Sequence, residues 1–350
     1  MLQVSLPSQR ENSRKQIPIF VLMNTLTDRI FKIDSEEAFS SLAIEIFRFQ
    51  SETNKVYSKY LEYLKIDSNS IERIDQIPFL PIEFFKKFQV VSSTKNPECV
   101  FESSGTTGQK RSKHYVVSEN LYKRSFMKAF SSFYGKPDDL CILALLPSYL
   151  ERKNSSLVYM MHHLIHSGKH PDSGFYLNNL EELSVVLNKR ISDKIPTLLI
   201  GVSFALLDLA EKFPQKLSKN IVLMETGGMK GRKKELIREE LHDLLKKAFQ
   251  IEAIHSEYGM TELLSQAYSK ENGKFFCPPW MKLIIRDTYD PLSIVEKGQS
   301  GGINIIDLAN LYSCCFIETE DLGKINEDGA FEILGRLDQS EIRGCNLMVV

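Results

Sequence analysis

Apolar and polar residues alternate along this chain in changing rhythms, and the changes mark out three stretches. In residues 35–66, SEEAFSSLAIEIFRFQSETNKVYSKYLEYLKI, Phe39, Leu42, Ile46 and Phe47, then Tyr57, Tyr60 and Leu64, recur at helical spacing and predict two helices. Ser35 followed by Glu36 and Glu37 is a helix start. Pro78 and Pro81 interrupt IPFLPIEFFKKFQVV (77–91), which predicts a short helix leading into an extended segment.

From about residue 97 short apolar runs alternate with amphipathic ones. VFESS (100–104), CILALLP (141–147), PTLLIGVS (196–203) and IVLMETGG (221–228) predict strands. SENLYKRSFMKAFSSFYG (118–135), SSLVYMMHHLIHSG (155–168), FALLDLAEKFP (204–214) and GRKKELIREELHDLLKKAFQ (231–250) predict helices. In the last of these, Leu236, Ile237, Leu241, Leu244, Leu245 and Ala248 form the expected apolar face, and the Lys/Arg/Glu run a solvated one. Strand–helix alternation predicts an α/β fold with a largely parallel sheet flanked by helices. Beyond about 275 the pattern shortens to MKLIIRD, GGINIIDL, SCCFIE and GAFEILG, the texture of a small antiparallel or barrel-like β-subdomain. The expected organisation is a helical region at 1–95 packed on the core, an α/β core at 96–275, and a small β-subdomain with a C-terminal tail at 276–350.

Composition narrows the function classes. The chain has 350 residues, 43% hydrophobic and 25% charged, which are ordinary globular values. A net charge of −1 speaks against a nucleic-acid partner. No export signal opens the sequence, and no apolar run reaches the length of a transmembrane segment. The six cysteines show no CxxC and no zinc-type spacing. The expectation is a cytoplasmic protein with reduced thiols.

Residues 101–114, FESSGTTGQKRSKH, carry the first chemical signal. Glycines let backbone N–H groups converge on an anion, Ser and Thr add donors, and Lys110, Arg111, Lys113 and His114 add positive charge, so the stretch suits a phosphate. It is not a GxxxxGK[ST] phosphate loop, because Gly105 and Gly108 are three apart and Gln109 precedes Lys110. GxGxxG is absent as well.

SSGTTG (103–108) together with YGMTE (258–262) resembles the adenylate-forming enzymes, which activate carboxylic acids with ATP. IPFLPIEFFK, LPSYLERKNSSLVYM (146–160), ETGGMKGRKKE (225–235) and GRLDQSEIRGCNL (335–347) narrow the resemblance to the LuxE family of acyl-protein synthetases, from about residue 77 onward. The resemblance implies an adenylate-forming core with ATP and Mg²⁺ as cofactors. Ser103, Ser104, Gly105, Thr106, Thr107 and Gly108 would close on the ATP phosphates, with His114 nearby. Tyr258 would stack on adenine, Gly259 would leave room for the backbone, Thr261 would bond the α-phosphate and Glu262 would hold Mg²⁺. Asp321 would grip the ribose hydroxyls, and Arg336 would reach ribose or phosphate, with Asp338 at a hinge position.

Twelve residues follow Asp338, where the superfamily continues into a mobile C-terminal domain with a catalytic lysine, so that domain is expected to be missing. The LuxE-like resemblance implies an acyl group moved onto a cysteine near the C-terminus, and Cys345 is the one so placed, with Arg343 to lower its pKa. The leading expectation is ATP-dependent activation of a fatty acid to acyl-AMP and transfer to Cys345, for delivery to a partner acyl reductase or another acyl-acceptor protein. One alternative delivers the acyl group directly to coenzyme A or another small acceptor. Another is a non-catalytic subunit that binds acyl groups or nucleotide.

Overall fold

The structure, a computed structural model, describes residues 19–93, 95–104, 110–146, 154–176, 179–227 and 236–337. Its backbone is one mixed sheet. In spatial order the strands are Met281–Arg286, Ser300–Asp307, Phe316–Ile325, Phe331–Arg336, Phe275–Phe276, Ala267–Ser269, His255–Tyr258, Ile221–Glu225, Thr197–Gly201, Cys141–Leu145 and Gly174–Phe175. The last five of these run parallel, and from His255–Tyr258 back to the other edge neighbours in this order pair antiparallel. The α/β expectation therefore holds, with parallel and antiparallel halves hydrogen-bonded into one sheet.

Cys141–Leu145 and Thr197–Gly201 are buried at every position. Strands covered on both faces read as continuous apolar runs, which is why CILAL and TLLIG were visible in the sequence. Helices begin where short polar side chains can cap them. Ser35, Ser118 and Ser155 each accept a backbone N–H three residues on, and Gly135 ends Glu119–Tyr134 with φ +81°. Asn54 separates Glu36–Thr53 from Lys55–Tyr63 by accepting from Val56 N and Tyr57 N.

Two expectations need correction. The VFESS strand is not in the main sheet: Cys99–Glu102 pairs only with Lys113–Val116, in a separate antiparallel ribbon. Ile237 and Leu244 are 62% and 49% exposed, so the inward face of Arg238–Phe249 is Leu241, His242, Leu245 and Phe249. The short strand Phe275–Phe276 bonds to both Ala267–Ser269 and Phe331–Arg336. The N-terminal helices are tied to the far half of the chain. Gln50 Nε2 donates to the Asn310 and Leu311 carbonyls at 3.1 and 3.0 Å, and Cys315 N donates to Gln50 Oε1 at 2.9 Å. Leu80–Pro81 adds parallel to Ile317–Glu318.

Candidate active site

A cleft of about 500 Å³ opens where several strands end. In α/β sheets the loops beyond the carboxyl ends of strands are where ligands sit. Ser103 and Ser104 follow Cys99–Glu102, Thr226 and Gly227 follow Ile221–Glu225, and Gly259, Thr261 and Glu262 follow His255–Tyr258. Asp321 and Arg336 come from two neighbouring antiparallel strands, where they are register partners. The cleft thus gathers Ser103, Ser104, Tyr258, Gly259, Thr261, Glu262, Asp321 and Arg336, although 233 residues separate the first from the last. Gly105, Thr106, Thr107, Gly108, Asp338, Arg343 and Cys345 lie outside the described residues.

Three of these side chains form a connected unit. The Tyr258 hydroxyl donates to Asp321 Oδ2 at 2.8 Å, and Arg336 Nε lies 3.4 Å from Asp321 Oδ1. Edge contacts with Phe275 and Phe331 hold the Tyr258 ring, with centroids at 6.1 and 5.7 Å. Burial and the Asp321 carboxylate push the Tyr258 phenol well above its ordinary pKa, so it stays a donor. Arg336 also reaches Glu320 Oε2 at 2.8 Å, and Lys86 lies 3.6 Å from Glu320 Oε1. Acidic and basic groups therefore alternate along this rim.

Glu262 is 5% exposed. Burial raises its pKa, opposed by a hydrogen bond from the Ser112 hydroxyl and the more distant charges of Lys86 and Arg336. A single carboxyl placed this way in the wall of the cleft fits Mg²⁺. That ion uses one or two protein carboxylates and takes its other ligands from water and substrate phosphates. Among the described residues no cluster of three or more His, Cys, Asp or Glu could form an all-protein metal cage.

The turn carrying Thr261 and Glu262 is fixed from beneath by groups far away in sequence. His114 Nδ1–H donates to the Thr261 carbonyl at 2.9 Å, and Asn310 Nδ2 donates to the Glu262 carbonyl at 2.8 Å. Asp307 accepts from Leu264 N and Ser265 N at 2.9 Å each, from Ser265 Oγ at 2.6 Å and from Ala309 N at 3.1 Å. Burial lifts the Asp307 pKa to about 6 against these bonds. The Trp280 indole N–H meets the Ser265 and Ser125 hydroxyls at 2.9 and 3.1 Å. Asp307, Asn310 and Ser265 gave no signal in the sequence, because their role depends on strands that meet only in the fold.

The basic stretch after the glycine loop divides in the structure. Lys110 lines the cleft, whereas Arg111 and Lys113 turn to Glu102 at 3.7 and 3.2 Å. His114 does not face the cleft. It is fully buried edge-on to Phe85, and burial depresses its pKa to about 4, so it is a neutral prop for Thr261 rather than a phosphate-facing cation. Gly259 also has a role different from the expected one. A Cβ there would lie 2.5 Å from Glu257 Oε1 and 3.3 Å from Gln266 Cγ, so the missing side chain makes room for Glu257. Glu257, held by the Thr226 hydroxyl, was missed in the sequence reading although it directly precedes YGMTE.

The fold is that of the adenylate-forming ligases. Among solved structures, the chain resembles ATP-bound MatB from Rhodopseudomonas palustris, with a TM-score of 0.51 and 18% identity over 68% of this chain and 47% of that one. It also resembles a 2-hydroxyisobutyryl-CoA ligase in complex with 2-HIB-AMP and CoA, with a TM-score of 0.63 and 12% identity over 92% of this chain and 71% of that one. The chain spans about half the length of MatB.

Within that class the chain belongs to the family described as acyl-protein synthetase, LuxE, whose model matches residues 30–350. A long-chain-fatty-acid–luciferin-component ligase from Vibrio harveyi is 22% identical over 344 residues, covering 90% of this chain and 88% of that protein. A protein of the same name from Photorhabdus luminescens is 35% identical over 78 residues, covering 22% of this chain and 66% of its own. Among the described residues no helix is long and apolar enough to cross a membrane.

Proposed function

We propose that this chain activates a fatty acid with ATP and passes the acyl group to a cysteine thiol. The observation that carries the reading is the meeting, in one cleft, of the Tyr258–Asp321–Arg336 unit, the Ser103–Ser104 end of the glycine loop and the buried carboxyl of Glu262. In the first half-reaction the acid's carboxylate oxygen attacks the α-phosphorus of ATP. The bond to the bridging oxygen breaks, and pyrophosphate leaves with that electron pair. Tyr258 and Asp321 hold the nucleoside end, and Ser103, Ser104 and Lys110 face the phosphates. Thr261, its carbonyl fixed by His114, presents its hydroxyl and backbone N–H to the α-phosphate. Glu262 would hold Mg²⁺, which would supply positive charge where negative charge accumulates.

In the second half-reaction a thiolate attacks the acyl carbonyl and AMP leaves, giving a thioester. Burial pushes the Cys99 and Cys314 thiols up to about 12 and raises those of Cys141, Cys277 and Cys315. None of these is set up as a thiolate at neutral pH. That supports Cys345 as the acceptor, with a partner acyl reductase or other acceptor protein receiving the acyl group afterwards.

The test is acid-dependent exchange of labelled pyrophosphate into ATP. Wild type shows exchange with Mg²⁺ and a fatty acid, and Glu262→Gln, which keeps the shape and removes the charge, lowers it at least a hundredfold. Exchange at the wild-type rate in a folded Glu262→Gln variant would falsify the assignment of Glu262.

A further inference from the structure

One wall of the cleft has no part in holding nucleotide or metal in the scheme above, and its chemistry does not suit an unadorned hydrocarbon. Glu257 and Gln266 stand on adjacent antiparallel segments beside Gly259, and both line the cleft. Glu257 Oε1 and Gln266 Cγ lie 2.5 and 3.3 Å from the same point above the Gly259 Cα, so the two side chains converge there. The Thr226 hydroxyl donates to the other Glu257 oxygen. Gln266 is 4% exposed, and its Oε1 is buried without a hydrogen-bond partner.

A buried acceptor left without a donor is destabilising, and a ligand that supplies the donor recovers that loss. An alkyl chain laid against Glu257 and Gln266 would give neither a hydrogen-bonding partner. A hydroxyl answers both groups at once. Burial and the nearby Glu225 carboxylate raise the Glu257 pKa to about 7, so close to neutral pH a large share of the molecules carry a protonated Glu257. The acid O–H can then donate to a substrate hydroxyl oxygen while that hydroxyl donates to Gln266 Oε1.

We infer that the carboxylic acid selected by this cleft carries a hydroxyl close to its carboxyl group, bound between Glu257 and Gln266. This rests on the adenylation reading above and narrows its substrate to a hydroxylated acid. Sites built to hydrogen-bond a substrate hydroxyl discriminate strongly against the analogue lacking it, because their own polar groups are then left unpaired.

The experiment compares octanoate, 2-hydroxyoctanoate, 3-hydroxyoctanoate and 3-aminooctanoate in pyrophosphate exchange. The expected result is a kcat/KM at least tenfold higher for one hydroxyoctanoate than for octanoate. Gln266→Leu and Glu257→Met should each bring that ratio to within about threefold of one. The ratio compares two acids on one protein, so partial loss of folded enzyme does not move it, and either variant alone suffices if the other fails to fold. Equal rates for octanoate and both hydroxy acids in wild type overturn the inference and leave adenylation standing. A preference for the amino acid, or a preference unchanged in both variants, also overturns it. Exchange with none of the acids overturns the adenylation reading and the inference with it.

Discussion

His114 offers a direct measurement of how the cleft floor is built. The imidazole is fully buried, donates through Nδ1–H to the Thr261 carbonyl at 2.9 Å, and leaves Nε2 buried without a partner. A second proton would have to go on that isolated nitrogen, so burial lowers the pKa from 6.5 to about 4. The sign follows from linkage. A depressed histidine pKa contributes stability that is fully present above 6.5 and is lost as pH falls towards 4, because the unfolded chain takes up the proton first. At pH 5 the unfolded form is almost wholly protonated and the folded form about one-tenth so, which corresponds to about 2 kcal/mol lost relative to pH 7.5. Other groups titrate in the same window, so the reference is His114→Gln, whose amide can keep the bond to Thr261 but takes up no proton. Denaturant unfolding of both proteins at pH 7.5 and pH 5 gives four stabilities. Wild type should lose about 2 kcal/mol more than the variant across that interval. Equal losses would show that His114 protonates freely in the folded protein, and would reopen its placement as a cation facing phosphate.

Three further outcomes follow from the same geometry. Tyr258→Phe removes the hydrogen bond to Asp321, a bond to a charged group worth about 1.5–3 kcal/mol, and should raise the KM for ATP at least tenfold; an unchanged KM would separate the Tyr258–Asp321 pair from nucleotide binding. Asp307→Ala strands the Leu264, Ser265 and Ala309 N–H groups in the interior and should lower unfolding stability by about 3–5 kcal/mol; a denaturation midpoint within error of wild type would contradict the network. With labelled fatty acid and ATP, wild type should acquire a hydroxylamine-sensitive label that Cys345→Ser lacks, while the variant still exchanges pyrophosphate; label persisting in Cys345→Ser would move the acyl acceptor elsewhere.

Much of the fold was legible where one force dominates locally. Apolar runs such as CILAL and TLLIG announced buried strands, and Ser118 with Gly135 bracketed a helix, since strand burial and helix capping depend on near neighbours. The VFESS ribbon was misplaced because a short apolar run does not say which strand it will pair with. The same reason hides the cleft floor. Asp307, Asn310 and Gln50 look like ordinary polar residues until strands and helices far apart in the chain bring their hydrogen-bonding partners beside them. Charge misled at Arg111 and Lys113 because Glu102, nine and eleven residues earlier, faces them across the ribbon. Glu257 was overlooked because YGMTE drew attention to the residues after it, whereas the space it occupies is made by Gly259 within that same stretch.

The tie between Gln50 and Cys315, and the pairing of Leu80–Pro81 with Ile317–Glu318, have a consequence during synthesis. A ribosome adds about 5–20 residues per second, so the helices of the first hundred residues leave it many seconds before Phe316–Ile325 can receive them. In that interval Phe39, Ile46, Phe47 and Tyr57, all at most 3% exposed in the finished protein, lack much of their covering. Translation stalled before residue 316 should therefore leave a nascent chain that holdase chaperones retain and proteases cut within residues 36–63, and release from both should come only once that strand has emerged.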